Sequence, residues 1–92
     1  MLEIRILDDA QEFLNSLPPK HKWQVIEKIS LLATDPMPAR SKLIEGFAPL
    51  RRLKSGKYRI VYFVEGNVVK VPLVDKRGDN EIYRQIARKF KH

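Results

Sequence analysis

Leu2, Ile4 and Ile6 alternate with Glu3 and Arg5, the two-residue period of a half-buried strand. The period then lengthens. Asp9 and Glu12 have capping-box spacing, with Asp in place of Ser or Thr, and Ala10, Phe13, Leu14 and Leu17 fall on one stripe of a short helix. Pro18-Pro19 ends that helix, and Pro19 suits the first turn of a second one carrying Val25, Ile26, Ile29, Leu32 and Ala33. Thr34-Asp35-Pro36 stops it, because the residue before a proline disfavours the helical region. So short a joint predicts an antiparallel helical hairpin. Residues 34–48 read as a loop, followed by a strand Pro49–Lys54 and a turn at Ser55-Gly56. In Lys57–Val64, Tyr58, Ile60, Tyr62 and Val64 face one way and Arg59, Val61 and Phe63 the other. Glu65-Gly66-Asn67 is a hairpin turn into Val68–Val74, where Pro72 lacks a ladder donor and predicts a bulge or an unpaired position. Gly78 breaks the chain, Asn80 reads as an N-cap, and Ile82, Ile86 and Phe90 form the stripe of a last helix. The order β-α-α-β-β-β-α predicts one α+β domain over residues 1–92. Its sheet is four-stranded and mostly antiparallel, with the helical hairpin on one face and a C-terminal helix.

Charge adds a direction to this outline. Residues 1–39 carry four Lys/Arg and six Asp/Glu, a net −2, whereas residues 40–92 carry fourteen and five, a net +9. A polyanion is the partner such a half attracts, through phosphate attraction and counterion release; a solubilising surface or an acidic protein partner is the plainer reading. The absence of cysteine excludes disulfides and thiolate metal sites. The opening Met-Leu-Glu-Ile-Arg-Ile is unlike a signal peptide, and no apolar run approaches the roughly 18 residues of a membrane span. A soluble, cytoplasmic protein in a reducing compartment is expected.

Strand alternation also sorts the cations. If the Tyr58/Ile60/Tyr62 face packs on the helices, Arg59 projects from the other face, and the short turn at Ser55-Gly56 brings Arg52 near it. Arg77 follows the last strand and Tyr83 lies in the first turn of the last helix, so Arg52, Lys54, Arg59, Arg77 and Tyr83 are expected to ring one concavity. Arg51, Lys57, Lys76 and Arg84 read as a surrounding RNA-attracting set. Each has a plainer reading: Tyr83 as cover for the core edge, the arginines as solvent or protein contacts. Trp23 is expected to pack, His21 to be solvated beside its two lysines, and His92 carries no assigned role. No cofactor is expected: there is no phosphate-cradling glycine loop, zinc-ligand set or paired-carboxylate motif.

At Leu-Arg-Arg-Leu-Lys-Ser-Gly-Lys-Tyr-Arg-Ile-Val-Tyr (residues 50–62) and Val-Asp-Lys-Arg-Gly-Asp-Asn-Glu-Ile-Tyr (residues 74–83) the chain resembles the RelE/ParE superfamily of toxin–antitoxin toxins. The likeness includes the first strand and the helical hairpin ending in Asp-Pro. In the RelE branch it implies an mRNA interferase, an endoribonuclease that enters the ribosomal A site, cuts translated messenger RNA and is blocked by an antitoxin. By position, Arg59 matches the family's strand arginine, Arg77 the arginine after the last strand, and Tyr83 the tyrosine of the final helix. Arg52 falls where RelE proteins carry a lysine. Leu50 falls where another lysine lies, leaving Lys54 or Lys57 to stand in, and Asp79 replaces a common basic residue.

Metal-free RNA cleavage drives the substrate's 2′-hydroxyl onto the adjacent phosphorus, and needs a base, cations for the phosphorane charge, and an acid for the 5′ oxygen. The expected roles are base for Tyr83, phosphate clamp for Arg59 and Arg77, and charge neutralisation or proton donation for Lys54 or Arg52. Free phenols ionise near pH ~10, so the base role relies on nearby guanidinium groups. The rivals are a ParE-like inhibitor of DNA gyrase that does no chemistry, and a degenerate member that only binds RNA or its antitoxin.

Overall fold

The computed structural model describes residues 1–76 and 78–90. Its elements are β1 (Glu3–Ile6), α1 (Asp8–Asn15), α2 (Pro19–Leu31), β2 (Lys42–Leu43), β3 (Arg51–Ser55), β4 (Tyr58–Glu65), β5 (Val68–Asp75) and α3 (Asp79–Phe90). The strands form one sheet in the order β1-β5-β4-β3-β2. Pairing is antiparallel except between β1 and β5, which run parallel. The α+β class, the mostly antiparallel sheet and the helical arrangement agree with the sequence reading. The strand count does not: the sheet has five strands, because Lys42–Leu43 pairs with Arg51 and Arg52 inside the segment read as a loop. Two residues are too few to show a period, so this edge leaves no pattern in the sequence.

Several boundaries also differ, β3 running over Arg51–Ser55 where Pro49–Lys54 was expected. α1 begins at Asp8 behind Leu7, with no side-chain cap, so Asp8 and Asp9 act on the helix dipole rather than as a capping box. α3 begins at Asp79, one residue before the expected cap Asn80, with Ile82 N–H donating to the Gly78 carbonyl. The proline expectation holds. Val61 pairs with Leu73 but Phe63 pairs with Lys70, so Val71 and Pro72 together oppose Tyr62 in a bulge. Both hairpins close on two residues, Gly56-Lys57 and Gly66-Asn67, with only the glycine at positive φ (59° and 63°), the II′ pattern.

The period of β4 divides the apolar side chains between two layers. Tyr58, Ile60 and Tyr62 pack with Leu53, Val69 and Val71 against Ala10, Leu14, Val25, Ile29 and Leu32 of the helical hairpin. Val61 points the other way, into a smaller cluster with Ile44, Leu50, Leu73, Ile82 and Ile86. Apolar burial holds α3 on that face. Polar contacts fix its rotation: Gln85 donates to Asp75 at 3.0 Å, and Lys89 pairs with Asp9. Replacing fully buried Ile86 with Ala is expected to cost about 2–4 kcal/mol in urea unfolding. A loss below about 1 kcal/mol would mean that this stripe does not anchor α3.

At the β4–β5 tip, Glu65 is exposed and paired with Lys70. The hydrogen bond from Lys70, and then its charge, hold the Glu65 carboxyl below its ordinary range. A depressed carboxyl contributes stability above its unfolded-state pKa and loses it as pH falls through the folded value. Lys70→Met should therefore raise the Glu65 midpoint in an NMR titration toward that of a free glutamate.

Candidate functional site

Alternation in β3 and β4 settles which cations share a face. Arg52 pairs with Val61 and Lys54 with Arg59, so Arg52, Lys54 and Arg59 project toward the α3 side. Leu50, Val61 and Leu73 form the apolar floor beside them. Leu50 thus lies in the core where the family resemblance looks for a lysine.

Asp79, the first residue of α3, meets this group. Arg59 Nε donates to Asp79 Oδ1 at 3.1 Å, and Arg59 Nη1 donates to the Lys57 carbonyl at 3.2 Å. Arg52 Nε is ion-paired to the same Oδ1 at 3.6 Å, beyond hydrogen-bonding reach. Arg52 is only 6 % exposed, and its Nε is buried without a hydrogen bond. One carboxylate oxygen therefore sits before two guanidinium groups and satisfies one of them.

Helix geometry brings Tyr83 to the same side. Gln85 and Lys89 tie one flank of α3 to Asp75 and Asp9, while Asp79 ties the other to β3 and β4. Tyr83 follows Asp79 by four residues, on the same flank and about 6 Å further along the axis. It is 37 % exposed, with its neighbour Ile82 fully buried. The phenol is thus at the surface rather than turned into the core. Arg77 and His92 lie outside the described residues.

The remaining cations disperse. Arg51 pairs with Tyr62, so it points to the opposite, helical-hairpin face, where its Nε and Nη2 donate to the Ser41 hydroxyl at 3.1 and 3.0 Å. That placement takes it away from the basic face beside which the sequence grouped it. Lys57 lies over the Tyr58 ring at 5.8 Å, also toward that face. Lys76 is exposed beyond β5, and Arg84 is exposed on α3 beside Glu81 at 3.8 Å. His21 is not simply solvated: its Nδ1 is 2.7 Å from the Tyr58 hydroxyl, a long-range contact that leaves no trace in local spacing. Trp23 is 64 % exposed rather than packed. Asp79 is the residue whose role the sequence understated. Its position four residues before Tyr83 was the available signal.

A cavity of about 620 Å³ between α2 and the β3–β4 turn, lined by His21, Lys28, Lys57 and Tyr58 among others, is on the wrong face to serve the arginines. The two guanidinium side chains are themselves largely covered, Arg52 at 7 % and Arg59 at 17 % side-chain exposure. No group of three or more potential metal ligands occurs among the described residues, and no helix among them is long and apolar enough to cross a membrane.

No family model matches the chain, and no curated protein does. Solved structures do. The archaeal RelE–RelB complex from Pyrococcus horikoshii is 27% identical over 85% of this chain and 97% of that one, with a TM-score of 0.73. The RelBE2 toxin–antitoxin complex from Mycobacterium tuberculosis is 26% identical over 83% and 98%, with a TM-score of 0.72. A mutant Escherichia coli RelE toxin in the free state covers 97% of both chains at 24% identity and a TM-score of 0.77, a likeness of fold. The likeness to RelE-type toxins thus extends over most of the chain.

Arg52→Leu removes a buried charge whose Nε has no hydrogen bond while keeping most of the volume. Stability should change by less than about 1 kcal/mol, read by urea melts. A loss above about 2 kcal/mol would make the Arg52–Asp79 pair a net stabiliser instead.

Proposed function

We propose that this chain, which has the RelE-like toxin fold, is a cytoplasmic, ribosome-dependent messenger RNA endonuclease held in check by a cognate antitoxin. One observation carries the reading: Arg52, Lys54 and Arg59, from two adjacent strands, share a face with the flank of α3 that bears Tyr83. An inhibitor that only binds has no need of a phenol on the arginine-bearing side of the sheet. RelB antitoxins accompany the RelE toxins of the Pyrococcus and Mycobacterium structures, which supports an antitoxin here.

In the proposed reaction the 2′-oxygen forms a bond to phosphorus as its proton passes to the Tyr83 phenolate. The bond from phosphorus to the 5′-oxygen breaks, and that oxygen takes a proton from Lys54 or Arg52, lysine being the better donor. Arg59 and Arg77 bear the charge of the phosphorane through forked donors. Products end in a 2′,3′-cyclic phosphate and a free 5′-hydroxyl, with no metal required. Much of the alignment falls to the ribosome; well-oriented reactants gain up to roughly 7–11 kcal/mol. Naked RNA is accordingly a poor substrate. Arg51, Lys57, Lys76 and Arg84 serve, at most, general attraction of the polyanion from their separate positions.

Leu50 in the core and Asp79 on the arginines lower the positive charge of this face, and favour the rival reading, a ParE-like gyrase inhibitor. Mapping message ends after brief induction separates the two. Codon-phased cuts within translated regions support the nuclease, whereas relaxed plasmid supercoiling without cuts supports the inhibitor. Tyr83→Phe, Arg59→Ala and Arg77→Ala are each expected to lower cleavage of ribosome-bound message by about 10²-fold or more, with the fold intact by circular dichroism. Full activity in any one of them removes that residue from the mechanism.

A further inference from the structure

The arginine pair already holds an anion, and the anion belongs to the protein. Asp79 Oδ1 accepts from Arg59 Nε at 3.1 Å and stands 3.6 Å from Arg52 Nε. The two sides of this contact are held unequally. Arg52 and Arg59 rise from paired strands in the middle of the sheet, and Arg52 is more than nine-tenths buried. Asp79 is the first residue of its helix, follows a glycine, and has a side chain 37 % exposed. Rotation about its Cα–Cβ bond suffices to carry the carboxylate into water, while the guanidinium groups stay in place.

The contact is also incomplete. A planar carboxylate offers two oxygens, and here one of them faces both Nε groups while Arg52 Nε goes without a hydrogen bond. A phosphodiester offers non-bridging oxygens in tetrahedral array and suits forked donors approaching from two strands. An anion there also meets the positive end of α3. With Asp79 in place the three side chains sum to a charge of +1; with it swung away the pair presents +2.

We infer that Asp79 is an internal competitor for the phosphate site: its carboxylate occupies the space between Arg52 and Arg59 in the free protein and leaves when an RNA phosphodiester enters. This rests on the reading above, in which those arginines meet RNA. It adds that the affinity of the site is set low by a built-in anion, so that a substrate positioned by other contacts displaces it more readily than a free oligonucleotide does. A residue that merely pins α3 to the sheet would leave the Arg52 and Arg59 side-chain resonances unmoved when RNA binds.

The test uses a single-stranded RNA oligonucleotide with 2′-O-methyl riboses, which binds but cannot be cut, at low salt. Fluorescence anisotropy should show Asp79→Asn binding about five- to tenfold tighter than wild type. The slope of log K against log salt should steepen by about 0.7, one further phosphate contact on a single strand. Adding the oligonucleotide to ¹⁵N-arginine-labelled wild-type protein should shift the Arg52 and Arg59 Nε–Hε resonances, assigned by substitution; this readout also serves if Asp79→Asn fails to fold. Equal or weaker binding by a folded Asp79→Asn, or unmoved arginine resonances while the oligonucleotide binds, overturns the competitor and leaves the nuclease reading to its own cleavage assay. If the oligonucleotide binds neither protein, the RNA site itself is overturned, and the competitor with it.

Discussion

β4 is covered on both sides, and the two-residue period of its side chains is the constraint from which the rest follows. Tyr58, Ile60 and Tyr62 are claimed by the helical hairpin, so Arg59 and Val61 have only the other face to occupy. Val61 recruits α3 through Ile82 and Ile86, and α3 in turn delivers Asp79 and Tyr83 to the side of the sheet where Arg52, Lys54 and Arg59 stand. A one-residue slip of β3 against β4 would exchange Arg52 for Arg51 and dismantle the cluster. The type II′ turn at Gly56-Lys57 fixes that register, so a glycine at the turn has as much bearing on the site as any arginine within it.

Burying Arg52 exacts a cost that the remaining contacts only partly offset. A guanidinium with one donor unsatisfied is a poor way to stabilise a small domain, since an unmade hydrogen bond in the interior costs more than a made one gains. Its presence beside Leu50 and Val61 makes sense where a fixed positive charge matters more than stability. The basic half of the chain is therefore not one continuous field. Arg51 is tied to Ser41 on the far face and Arg84 faces Glu81, leaving a compact set of cations flanking a single carboxylate.

Much of this was legible in the sequence where periodicity or covalent restriction speaks. The alternation of Lys57–Val64 placed Arg59 on the right face, Pro72 announced its bulge, and Pro19 opened the second helix. Short or non-local features were silent. A two-residue edge strand has no period, and the His21–Tyr58 contact joins residues 37 apart in sequence. Arg51 and Arg52 are adjacent and chemically identical; the short turn already set Arg52 near Arg59, and the pairing of Arg51 with Tyr62 turns Arg51 toward the hairpin helices. Trp23 shows the limit of composition: the chain's single tryptophan is on the outside of α2 although its residue type favours packing. Asp79 was visible as an unexpected acid, but the oxygen it places between two arginines belongs to tertiary geometry.

The apolar side chains fall into two clusters of unequal size, and the smaller one is shared by α3 and the open face of the sheet. Cooperative units of this kind separate at different free energies, the less buried one first. α3 is held on the sheet by the smaller cluster, while the hairpin helices and their strand face share the larger one. Loss of that smaller cluster would take Asp79 and Tyr83 away together and strip the acid from the arginines in the same event. A segment that clamps or releases this one helix would thus govern the acid and the phenol together without touching the main core or the strand arginines.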